Sequence, residues 1–162
     1  MFLFVLSTLF NYSHAKDHGN GIVIHKDHYS KKNYSWYQSP KVIVCKDAPY
    51  NKKTVENAVS IWRKEGINIS NVSLESNYNQ CNSTSGKEGY IQIMGYRGSF
   101  KQSNYLAYTW DRTYLNNSSK TFGSEIEFAN DVSNNHFKLL VHEIGHALGY
   151  KHYNHKRDIM NR

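Results

Sequence analysis

The sequence predicts one α+β domain of five strands and two main helices. Three observations predict it. Short β-branched or alternating runs recur at residues 41–45, 72–74, 90–94, 106–110 and 125–128. Two other stretches, near 51–65 and 135–148, place apolar residues at helical spacing. And 162 residues, 39% of them apolar and 14% aromatic, make a chain of single-domain size that can bury a real core.

The chain opens on an apolar run from Phe2 to Phe10, followed by Ser13-His14-Ala15 as a small-x-small cleavage site. Residues 1–15 therefore read as a signal peptide, too short to span a membrane; the other reading is a buried N-terminal strand. Residues 16–38 are polar and read as irregular, and the domain proper is expected over 39–162. His18, His25 and His28, with Asp17 and Asp27, offer the side chains of a second metal site, but their loose spacing matches no ligand pattern.

After Pro40, Lys41-Val42-Ile43-Val44-Cys45 is a β-branched strand. Asn51 can cap a helix running to about Glu65, with Val55, Ala58, Val59 and Trp62 on one face and Gly66 as its stop. Residues 72–74 alternate weakly as a second strand, and the Asn-, Ser- and Gly-rich residues 77–86 form a loop carrying Cys81. The third strand, 90–94, alternates clearly, and 106–110 and 125–128 follow as the fourth and fifth. In the last helix Phe137, Leu140, Val141, Ile144 and Leu148 form one apolar stripe.

That helix carries the chemistry. His142 and His146 are four residues apart, so they stand one turn above each other on one face. Two imidazoles so placed can reach one metal at about 2.0–2.1 Å. Glu143 sits beside His142, badly placed to ligate but well placed to hold a water on the metal. Gly149 can end the helix in the left-handed conformation, letting the chain turn back to bring His152 as third ligand. Three neutral ligands leave zinc a position for water, the arrangement of a catalytic site. A bare H-E-x-x-H also arises from surface histidines; Gly149 and His152 at their offsets favour the metal reading, as does Met160 eight residues beyond His152.

His142-Glu143-Ile144-Gly145-His146-Ala147-Leu148-Gly149-Tyr150-Lys151-His152 resembles the metzincin motif followed by a Met-turn, and within that clan it looks most like the matrixins, the matrix metalloproteinase family. The resemblance extends over about residues 40–160 and implies a zincin-like, metzincin catalytic domain, a twisted mixed five-stranded sheet with two main helices, the second bearing the zinc motif. It implies His142, His146 and His152 as ligands of one catalytic zinc, Glu143 as general base and Met160 as the Met-turn residue. It also implies that residues 105–110 form the sheet edge along which a substrate strand lies. The proposed reaction is hydrolysis of peptide bonds in a protein or peptide substrate.

The chain departs from the family in two places. Tyr108 and Glu127 stand near positions where matrixins hold a second, structural zinc, so no such zinc is expected. Asp111, Glu125, Glu127 and Asp131 are carboxylates available to calcium, without a calcium ligand pattern. The sequence reaches only two residues past Met160, so the pocket beyond the scissile bond has no lower wall legible in the sequence. The cysteine-switch motif is absent, and Cys45 in a core strand is a poor substitute.

Secretion is the expected location. Cys45 and Cys81 are the two cysteines; in an oxidising compartment they can pair, and otherwise they are two separate buried thiols. Asn33, Asn68, Asn71, Asn82, Asn116 and Asn117 each begin a glycosylation sequon. The net charge of +7 suits acidic partners such as anionic cell walls, but the basic residues are scattered, and no nucleic-acid motif appears. A monomer free of membrane after signal removal is expected. Two rival functions remain: a zinc-binding or adhesion module without turnover, and a hydrolase of cell-wall peptide cross-links.

Overall fold

The structure, a computed structural model, describes residues 15–19, 21–25, 35–75, 81, 87–114 and 116–161. The expected signal peptide lies, Ala15 apart, outside these residues, as do His28 and Asp27.

The elements run β1 (Ala15–Asp17), β2 (Val23–His25), β3 (Ser35–Trp36), β4 (Lys41–Val44), α1 (Lys52–Lys64), β5 (Val72–Leu74), β6 (Tyr90–Met94), β7 (Ala107–Tyr114), β8 (Asn117–Phe128) and α2 (Phe137–Ala147). β5, β4, β6 and β8 pair in that order, all parallel. β3 adds to β8 in parallel, and β7 closes the other side of β8 as an antiparallel edge strand. The sheet is therefore α+β and mixed, as expected, but holds six strands among the described residues rather than five.

Alternation along the strands sorts the core. Val42, Val44, Ile91, Ile93, Ile126 and Phe128 face the two helices and form the main core with them. Ile43, Cys45 and Met94, one residue out of phase, form a smaller cluster with Cys81. α1 begins where Asn51 Oδ1 accepts the Thr54 N–H at 2.9 Å, and ends before Gly66, whose φ is +83°. α2 begins two residues later than expected, after His136, which makes no side-chain cap.

Two readings need correction. Residues 16–38 are not irregular throughout: β1 and β2 form an antiparallel hairpin and β3 joins the main sheet. Ile22 and Ile24, fully buried, enter the same core as the helices. The fourth and fifth strands are also longer than expected, reaching Tyr114 and starting at Asn117. The extension of the fourth carries Asp111, Arg112 and Thr113, which show no apolar alternation; backbone pairing to Ser124, Gly123 and Thr121 holds them.

Candidate metal centre and cleft

α2 is held by three aromatic side chains from three different parts of the chain. Tyr50 donates to the His136 carbonyl at 3.0 Å, Trp62 Nε1 to Val141 at 3.0 Å, and Trp36 Nε1 to Ala147 at 2.8 Å. The start, middle and end of the helix are thus each tied to another element. Trp62 is fully buried and stacks on Tyr150, ring centroids 5.1 Å apart.

On this helix His142 and His146 stand with ring centroids 4.6 Å apart. Gly149, at φ +96°, reverses the chain after Leu148. His152 then returns to 5.2 Å from His142 and 4.7 Å from His146, centroid to centroid. One nitrogen of each imidazole lies within 4.8 Å of the other two, and His146 Nε2 is 3.2 Å from His152 Nε2. Tetrahedral ligands at about 2.0–2.1 Å from a zinc stand about 3.3–3.4 Å from one another.

The tautomers suit a metal. His142 Nδ1 lies 2.7 Å from the Ile159 carbonyl and His146 Nδ1 lies 2.8 Å from that of Tyr150. A carbonyl oxygen only accepts, so both Nδ1 atoms carry hydrogens and both Nε2 atoms keep their lone pairs. Three imidazoles converging in this way fit zinc, and among the described residues no other group of His, Cys, Asp and Glu gathers in this manner.

Met160 is fully buried beneath the helix, at Gly145, where an added Cβ would run into its sulfur and stand 2.7 Å from Trp62 Cζ2. The glycine between the two helical histidines is therefore what lets Met160 and Trp62 pack there.

Glu143 points into the cleft and is nearly buried. Thr109, on the edge strand, donates its hydroxyl to Glu143 Oε2 at 2.6 Å. Burial pushes the Glu143 carboxyl above its ordinary range, and the negative charge of Asp111 adds to this. The Thr109 hydrogen bond and His142 pull the other way without cancelling the rise. Sequence reasoning missed Thr109; strand alternation groups it with Ala107 and Asp111, but nothing in the sequence shows which face of β7 turns to the helix.

Two cavities, of about 860 and 570 Å³, meet at His142, Glu143 and His152 beneath Tyr105 and Ala107. β7 pairs on one side only among the described residues, so its free edge borders this cleft.

The remaining candidates lie elsewhere. Cys45 and Cys81 are joined in a disulfide, their Cα atoms 5.9 Å apart, in the smaller core cluster. His18 lies 2.7 Å from Glu65, whereas His25 Nδ1 lies 3.0 Å from Asp158, so these two histidines are not brought together. Glu125 pairs with Arg112 at 3.0 Å and Asp111 accepts from Ser124 at 2.8 Å. Glu127, buried and opposite Tyr108, accepts the Arg97 N–H at 2.5 Å and also bonds Ser99, tying down the loop before the edge strand.

No described helix is long and apolar enough to cross a membrane. The family model of matrixins matches residues 28–162. No curated protein matches the chain.

Proposed function

The chain belongs to the matrixin family, and from that premise we propose that it is a secreted, zinc-dependent endopeptidase with His142, His146 and His152 as metal ligands and Glu143 as general base. The observation that carries this reading is the convergence of the three imidazoles beside a buried carboxylate at the meeting point of the two cavities. A bound zinc supplies acidification of a water toward a pKa of about 7 and polarisation of a carbonyl.

The protein's own groups do the rest. The free edge of β7 receives an extended peptide as an added strand, which sets the scissile bond over the histidines. Glu143 accepts a proton from the attacking water and returns it to the nitrogen of the departing amine. Its raised pKa suits both halves of that task, since a carboxylate of ordinary acidity holds a proton poorly near neutrality. Thr109 fixes one carboxylate oxygen, which leaves the other to face the water. Met160 supports the floor from below. The Cys45–Cys81 disulfide supports secretion, because such bonds persist in oxidising compartments.

The test is Glu143→Gln, which keeps size and removes the base. Zinc content and melting temperature should stay near those of the parent, while peptidase activity falls at least roughly 10²–10⁴-fold. Equal hydrolysis of casein or gelatin by parent and variant would sink the assignment. A parent that binds zinc yet cleaves neither these nor peptidoglycan would favour the binding-module reading.

A further inference from the structure

The larger cavity, beside His142, is walled by segments far apart in the chain. Gly21 and Val23 come from the β1–β2 hairpin, Lys138 from the first turn of α2, and Lys156, Arg157 and Asp158 from the turn before Met160. The N-terminal hairpin thus supplies part of the wall of this cavity. Its seat is fixed. The Ile159 N–H donates to the Val23 carbonyl at 2.8 Å, and Val23 bridges Asp158 in parallel.

Three cations share this wall. Lys138 Nζ lies against the hairpin turn, only 2.9 Å from where a Cβ on Gly21 would stand. Among the described residues none of Lys138, Lys156 and Arg157 is in an ion pair. The carboxylates lining the same cavity are already engaged. Asp158 is buried and accepts from His25 N–H at 2.8 Å, from the Met160 N–H at 2.8 Å and from the His25 ring. Glu143 is held by Thr109.

Resting on the peptidase reading above, we infer that this cavity selects an acidic side chain of the substrate, flanking the scissile bond. A Glu side chain entering it meets three ammonium or guanidinium groups, whereas Gln, of equal size, gains none of that attraction. Each exposed ion pair is worth roughly 1.5- to 5-fold in affinity, so three together should favour Glu over Gln by about 10-fold. The attraction should weaken as salt rises.

The test separates this inference from the reading beneath it by measuring binding as well as cleavage. Labelled peptides with Glu or Gln scanned through each position are titrated by fluorescence anisotropy against zinc-loaded Glu143→Gln protein, and the same peptides are offered to the parent for cleavage. One register should bind Glu about 10-fold more tightly than Gln, and this ratio should fall toward one in Lys156→Glu/Arg157→Glu and in high salt. Lys138→Gln, on an exposed helix position, gives an independent arm should the double variant fold poorly. Absence of any register preferring Glu, absence of binding by either peptide, or a ratio that survives these substitutions would overturn the inference. A Glu preference in binding with no cleavage by the parent would uphold the cavity and sink the peptidase reading; cleavage without the preference would do the reverse.

Discussion

Gly145→Ala adds a single methyl group between the two helical histidines, and two effects oppose each other there. Alanine is the better helix former by about 1 kcal/mol. Against this, the new Cβ would stand 2.7 Å from Trp62 Cζ2 and closer still to the Met160 sulfur, where carbon contacts settle at about 3.5–4.0 Å. Trp62 cannot swing away, because it is fully buried, stacked on Tyr150 and hydrogen-bonded to the Val141 carbonyl. Overpacking of this kind costs about 1–3 kcal/mol. Two contacts under 3.0 Å place the cost in the upper part of that range, about 2–3 kcal/mol, so the packing term wins and a net loss of about 1–2 kcal/mol is expected, or roughly 2–8 °C in melting temperature for a domain of this size. The measurement is thermal unfolding by circular dichroism on chelated protein, so that zinc binding does not add to the apparent stability. Repeating it in a Met160→Ala background should shrink the loss, since the truncated neighbour makes room and the two positions couple. An alanine variant that melts at or above the parent, or losses that simply add, would refute the close approach of helix, sulfur and indole.

His146→Ala should abolish stoichiometric zinc by metal analysis of the mature protein; full zinc retention would overturn the ligand assignment. Replacing both Cys45 and Cys81 by serine opens a link across 36 residues of sequence and should lower stability by about 4 kcal/mol on the chain-entropy estimate. Urea denaturation of the oxidised parent and the variant measures this, and coincident midpoints would contradict it.

The parts of the fold legible in the sequence are those whose signal is local. Helical periodicity located α2, and the offsets of His146, Gly149 and His152 from His142 anticipated how the chain reverses and returns. Asn51 and Gly66 likewise marked the ends of α1. Residues whose roles depend on distant partners were not legible. Trp36 reads as one aromatic in a polar stretch until its indole is found on the last carbonyl of α2. Glu127 reads as a departure from a family pattern or a carboxylate available to calcium, whereas its buried carboxylate gathers the backbone of Arg97 and Ser99. Asp158 gave no signal, because its distant partner His25 is set by tertiary packing.

Ile159 shows why the N-terminal hairpin and the histidine cluster belong to one unit. Its N–H donates to Val23 in β2, and its carbonyl accepts from His142 Nδ1 at 2.7 Å. One peptide segment therefore holds the hairpin with one end and orients His142, a proposed ligand, with the other. A shift of the hairpin would move the Ile159 carbonyl, and with it the hydrogen bond that fixes the His142 tautomer and ring direction. Groups of this kind commonly change metal affinity by about 10–100-fold when lost. The next residue repeats the pattern. Met160 receives its backbone anchor from Asp158, which is itself held by His25, while its side chain packs under Gly145. A stretch that reads as polar and irregular in the sequence thus reaches the histidine cluster through two consecutive residues, one bonded to His142 and the other lodged beneath the helix that carries His142 and His146.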